Sequence, residues 1–232
     1  MNEQRLFRAY VTPFAVFLFF NLLLWVVEAS WAWDHPSVAW CRRAPEMWIY
    51  PLQVVVCGAY LWHVRRDVEW DWKLKPCLLG ILAGFVGIGF WLVPYVTGWI
   101  PSEDGFDPVA VFGDNTTAVW VEYAFRFARA VVIVALVEEF FWRGYLMRWC
   151  VNRDFPQNVP LGQGGWLAYI VVTIAFMLVH RPVDYAGAFV YGSLAYALVV
   201  YTKRLTPVVV MHAVANLIMG ICAIKLNLPH LW

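Results

Sequence analysis

Two adjacent carboxylates, Glu138 and Glu139, interrupt an apolar run that otherwise reads as a membrane-spanning helix, with Ala130 to Val137 before them and Phe140-Phe141-Trp142 after. A charged side chain at the bilayer centre costs roughly 2.5–3.5 kcal/mol on insertion scales, so an adjacent pair points to function. Arg129 and Arg148 bracket the pair 19 residues apart, about 28 Å of helix and close to the hydrocarbon thickness. The glutamates fall near the middle of that interval. Arg143 follows Glu139 by four positions, on the same helical face and within reach of a charge-assisted pair. Glu138 points about 100° away and is the carboxylate left to face a cavity.

Two later apolar segments carry possible partners. One ends Phe176-Met-Leu-Val-His180, and the other holds His212-Ala-Val-Ala-Asn216. His212 and Asn216 are four apart and project from one face. By helical rise His212 lies about 13 Å beyond Lys203 and His180 about 21 Å beyond Trp166, so all four groups fit near mid-membrane. Each also has a plain structural reading. A Glu139–Arg143 pair can simply hold helices together, and a membrane His or Asn can be interhelical hydrogen-bonding glue. A carboxylate, two imidazoles and a carboxamide at compatible depths favour a site instead.

The elements that must position these groups are transmembrane helices. The chain has 232 residues that are 62% hydrophobic, 18% aromatic and 14% charged, where a soluble domain carries about 25% charged residues. Seven apolar segments stand out: 9–27, 47–64, 77–100, 121–148, 166–180, 183–201 and 206–224. Most are near the ~20 residues a spanning helix needs. The sequence therefore predicts an all-α, polytopic transmembrane bundle forming a single integral membrane domain over 1–232. The fifth segment is short and Pro182 follows it, which predicts a break near Pro182 inside the membrane. A net charge of +1 with no basic face excludes a nucleic-acid partner and leaves the lipid bilayer as the evident one.

Loop charge gives an orientation. Arg5, Arg8, Arg65, Arg66, Lys73, Lys75, Arg148, Arg153, Lys203 and Arg204 lie on one side; Arg42, Arg43, Arg181 and Lys225 lie on the other. The positive-inside rule then predicts a cytoplasmic N-terminus. The first segment is too long for a signal-peptide core and reads as an uncleaved helix. Gly80, Gly84 and Gly87 form a small-residue face on the third segment, suited to close helix packing. Glu122, Arg126 and Arg129 read as the solvated outer end of the fourth helix, and Arg181 and Asp184 flank the break, where they could pair with each other or contact substrate. Cys41, Cys57, Cys77, Cys150 and Cys222 show no C-x-x-C spacing and read as packing residues.

The pattern E-E-x-x-x-R, F-x-x-x-H and H-x-x-x-N, in that order on three helices, resembles the CPBP intramembrane protease family. That family includes the type II CAAX prenyl endopeptidases and the bacteriocin-immunity-type (ABI) proteins. Glu138, Glu139 and Arg143 match the first motif, Phe176 and His180 the second, His212 and Asn216 the third. The resemblance covers residues 121–224 as a catalytic core. Its better-known members have eight helices, which leaves an eighth open here. A bacterial subgroup associated with exosortase systems looks similar too, implying the bacterial inner (cytoplasmic) membrane.

The resemblance implies an endopeptidase acting on a membrane-associated protein or peptide through glutamate-activated water. Glu138 would be the general base, and a buried base needs cationic or hydrogen-bonding neighbours, here Arg143 and His180. His180 would hold the same water and protonate the leaving amine. His212 and Asn216 would donate to the oxyanion, a contribution of about 2.7–4 kcal/mol per donor. Glu139 with Arg143 would tune Glu138. No cofactor is expected on this reading. The alternatives are a zinc protease using Glu138, His180 and His212, and a non-catalytic ABI-type scaffold. A transporter would call for a two-fold repeat of broken helices, which the sequence lacks. The oligomeric state is left open by the sequence.

Overall fold

The computed structural model describes residues 2–35 and 37–231, and every regular element among them is helical. Seven helices carry the architecture: α1 (Glu3–Ser30), α2 (Glu46–Val64), α3 (Leu74–Val96), α4 (116–151), α5 (Trp166–Leu178), α6 (Tyr185–Thr202) and α7 (Thr206–Lys225). α1, α2, α3, α7 and the Pro182–Thr202 stretch containing α6 are long and apolar enough to cross a membrane, whereas α5 has only 13 residues. Their outer faces are uncovered Leu, Phe and Val, and Trp25, Trp62, Trp99, Trp120, Trp166 and Tyr201 lie exposed near helix ends. An apolar coat with aromatic residues at its rims is what lipid covers. The chain is an integral membrane protein, a helical bundle of the expected kind.

Two helices depart from the sequence expectation in ways that matter for the site. α4 extends beyond 121–148, and its hydrogen bonding switches twice to the wider π pattern. The π stretches are Ala128–Val134 and Phe140–Leu146, and they leave Ala135–Glu139 as a short α segment between them. Such stretches are rare and tend to occur at functional sites. Nothing in the apolar periodicity of 130–146 signals them. α5 stops at Leu178, so His180 lies in the break and not on the helix as expected. Pro182 lacks an N–H and biases its predecessor away from helix, and Arg181 is extended, with φ −66° and ψ 147°.

α6 ends with Lys203 in the left-handed region at φ 56°, and α7 begins at once with Pro207 in its first turn. Proline is tolerated there because the first-turn N–H groups have no helical acceptor. α3 then packs against α7 and α6 through its glycine face. A methyl group at position 84 would fall 2.7 Å from the Met211 carbonyl oxygen, and one at 87 would fall 2.9 Å from the Tyr191 ring. The glycines therefore set how closely the backbone before His212 approaches α3. Gly84→Leu is expected to cost about 1–3 kcal/mol of stability through overpacking. Gly89→Leu serves as control, because a Cβ there meets nothing within 4 Å. Thermal unfolding in detergent checks the pair; equal behaviour of the two variants would contradict the packing account.

Candidate active site

The short α segment of α4 separates the two glutamates onto different surroundings. Glu139 is fully buried, and Arg143 Nη1 lies 3.0 Å from both of its carboxylate oxygens. On its other side His212 Nδ1, from α7, sits 2.8 Å from Glu139 Oε1. The Arg143 guanidinium also rests 5.0 Å from the centre of the Phe176 ring on α5, and its Nη2 reaches the Gly192 carbonyl on α6 at 3.5 Å. One ion pair thus ties α4 to α5, α6 and α7. A paired carboxylate only accepts hydrogen bonds. The His212 Nδ1 proton therefore points at Glu139, and Nε2 is the ring nitrogen left for other work.

Glu138 is half-buried and borders a cavity of about 400 Å³ between the helices. Its Oε2 is buried with no hydrogen-bond partner among the described residues. The same cavity is bordered by His180, His212 and Asn216. His180 Nδ1 lies 2.7 Å from the Phe176 carbonyl oxygen, so this nitrogen donates and Nε2 is the free one. Asn216 Nδ2 donates to the Ala130 carbonyl in the first π stretch at 2.7 Å, leaving a second N–H and the amide oxygen. The structure thus brings Glu138, His180, His212 and Asn216 to one cavity. Glu139 and Arg143 stand behind its wall.

The helix break that carries His180 is clamped. Arg181 Nε donates to Asp184 Oδ2 at 3.0 Å, while Asp184 Oδ1 accepts from Trp91 Nε1 at 2.9 Å and from the Tyr95 hydroxyl at 2.5 Å. Pairing was one of two readings the sequence offered for Arg181 and Asp184, whereas Trp91 and Tyr95 on α3 gave no sign of their part in it. Trp91 also touches the His180 ring edge-on, with centroids 5.1 Å apart. Tyr191 of α6 lies deep in the wall against His212 and Phe176. An aromatic residue in an apolar helix carries no signal that would have marked it.

The outer end of α4 differs from expectation. Glu122 and Arg126 are buried, and Arg126 lies over the Tyr50 and Phe106 rings at 4.6 and 5.1 Å. Arg129 donates to Gln53 Oε1 at 2.6 Å and to Asn21 Oδ1 at 2.9 Å. Side chains of α1 and α2, with the loop carrying Phe106, cover this end, so these residues are not a solvated tip. Among the described residues no group of three His, Cys, Asp or Glu side chains could hold a metal ion. Glu138, His180 and His212 are accordingly not arranged as a zinc triad, and all five cysteines are free.

Residues 120–218 match the family described as type II CAAX prenyl endopeptidase Rce1-like. The matched stretch contains Glu138, Glu139, Arg143, Phe176, His180, His212 and Asn216. No curated protein and no solved structure matches the chain.

Removing one partner of a buried pair leaves an uncompensated charge, at about 3–5 kcal/mol. Glu139→Gln is therefore expected to unfold at markedly lower temperature. Glu138→Gln, whose Oε2 has no partner, is expected to cost about 1 kcal/mol or less. Similar losses for both variants would contradict the separation of the two carboxylates.

Proposed function

From the premise that its 120–218 core belongs to the CPBP family of type II CAAX prenyl endopeptidases, we propose that the chain is an intramembrane endopeptidase in which Glu138 activates the attacking water. The observation that carries this reading is Glu138, whose carboxylate has no hydrogen-bond partner for Oε2 among the described residues, on the cavity that His180, His212 and Asn216 also border. A base must reach the proton it takes, and a free carboxylate oxygen in a cavity of that size has room for water and a peptide bond.

The roles follow from which atoms are already engaged. Water bridges the Glu138 carboxylate and His180 Nε2, since His180 Nδ1 is held by the Phe176 carbonyl. Glu138 takes the proton as the water oxygen bonds to the scissile carbonyl carbon. That proton then passes through the Glu138–His180 pair to the leaving nitrogen as the C–N bond breaks. The second N–H of Asn216 is available to the oxyanion. His212 donates from Nε2 only as an imidazolium, with Glu139 as its counter-charge. This narrows the expectation of two equivalent donors, because Nδ1 of His212 is spent on Glu139.

The substrate is read as a membrane-associated protein or peptide, and zinc is given no step. On loop charge the N-terminus is read as cytoplasmic, and the exosortase-associated subgroup, with a bacterial inner membrane, stays the proposed setting. The test is cleavage of a membrane-peptide library by the purified protein in detergent. Glu138→Gln is expected to lower kcat by about 10²–10⁴-fold, with chelators leaving wild-type activity unchanged. Full function in Glu138→Gln would favour the scaffold reading, and stoichiometric zinc with loss of activity on chelation would overturn the glutamate mechanism.

A further inference from the structure

The described chain has three buried tyrosines, Tyr10, Tyr95 and Tyr191. The Tyr10 hydroxyl accepts from the Glu69 backbone N–H at 2.8 Å, and the Tyr95 hydroxyl donates to Asp184. The Tyr191 hydroxyl is buried with no hydrogen-bond partner among the described residues, and the residue as a whole is only 3% exposed. A buried donor without an acceptor costs stability, and native proteins rarely keep one without a reason.

Its placement suggests the reason. Tyr191 borders the cavity that holds Glu138, His180, His212 and Asn216. Its ring lies 5.6 Å from the His212 ring and 5.8 Å from the Phe176 ring, between the second and third motifs. The ring is also fixed. Trp91 meets it edge-on at 6.2 Å, and α3 offers it the bare backbone of Gly87. The neighbouring Gly192 carbonyl is held by Arg143, so the backbone carrying Tyr191 is tied to the central ion pair. A rigid donor with no protein acceptor among the described residues is suited to charge that appears only during reaction.

We propose that Tyr191 is a catalytic residue whose hydroxyl donates a hydrogen bond to the oxyanion, beside the second N–H of Asn216. This inference rests on the proteolytic reading above. No bond to Tyr191 forms or breaks: the scissile carbonyl oxygen gains its charge as water adds, accepts from the phenol, and loses that charge when the C–N bond breaks. Tyr191 supplies the donor that His212 provides only as an imidazolium.

Tyr191→Phe removes the oxygen alone and keeps the ring. With a peptide that the wild-type protein cleaves, kcat is expected to fall by about 10²–10³-fold, the loss seen when one oxyanion donor is removed. KM is expected to stay near the wild-type value and the unfolding temperature to stay level or rise, because no folded-state hydrogen bond is lost. Tyr191→His, which returns a ring N–H, is expected to recover part of kcat. An unchanged kcat would overturn the assignment, as would a Tyr191→Phe protein that unfolds early or fails to accumulate, since the hydroxyl would then be structural. Absence of any Glu138-dependent cleavage would sink the protease reading and this inference together. Glu138-dependent cleavage indifferent to Tyr191→Phe would sink this inference alone.

Discussion

The Glu139 carboxylate fixes the rest of the site. Arg143 lies against it from one turn along α4 and His212 bonds it from α7, with all three side chains buried. In a medium with little water, neither the carboxylate nor the guanidinium is tolerated without the other. The pairing therefore dictates the register of α4 against α7. Arg143 extends the constraint to α5 through the Phe176 ring and to α6 through the Gly192 carbonyl. The glycine face of α3 lets α7 pack closely against it at Pro207 and Met211, just before His212.

Glu139 is committed to structure, whereas Glu138 Oε2 has no hydrogen-bond partner among the described residues. The π stretches on either side of Ala135–Glu139 give this part of α4 a wider turn than an α-helix has. Within the α segment between them, adjacent positions point about 100° apart, which leaves one glutamate in the packed interior and its neighbour at a cavity. The helix break after α5 is held by Asp184, with Arg181, Trp91 and Tyr95, and presents His180 from the opposite wall. Rigid support around a few underused polar atoms is what preorganised catalysis calls for. Atoms without a protein partner among the described residues include the Glu138 carboxylate, the second nitrogens of His180 and His212, one N–H and the amide oxygen of Asn216, and the Tyr191 hydroxyl.

Much of this could be read from spacing, because some relations are local. The Glu139–Arg143 pair needs only a four-residue interval on one helix, and π widening did not undo it. The bundle followed from the length of the apolar runs, and the break followed from Pro182. Relations between distant segments were not legible. Glu139 and His212 are 73 positions apart, and no local pattern joins them. The fate of Arg126 and Arg129 depended on Tyr50, Gln53 and Asn21 from other helices, so a surface reading of one helix end failed. Tyr191 looked like any aromatic residue of an apolar helix, since a missing partner shows only after packing.

On the proposed mechanism, the scissile peptide bond sits between Glu138 and the wall formed by His180 and His212. Cryo-electron microscopy of the Glu138→Gln protein with a peptide that the wild-type protein cleaves would test it directly. The scissile carbonyl is predicted to lie inside the cavity, its oxygen within hydrogen-bond reach of Asn216 and Tyr191. Water is predicted between the substituted carboxamide on α4 and His180 Nε2. A peptide bound on the lipid-facing surface, or a cavity that stays closed to it, would contradict the account.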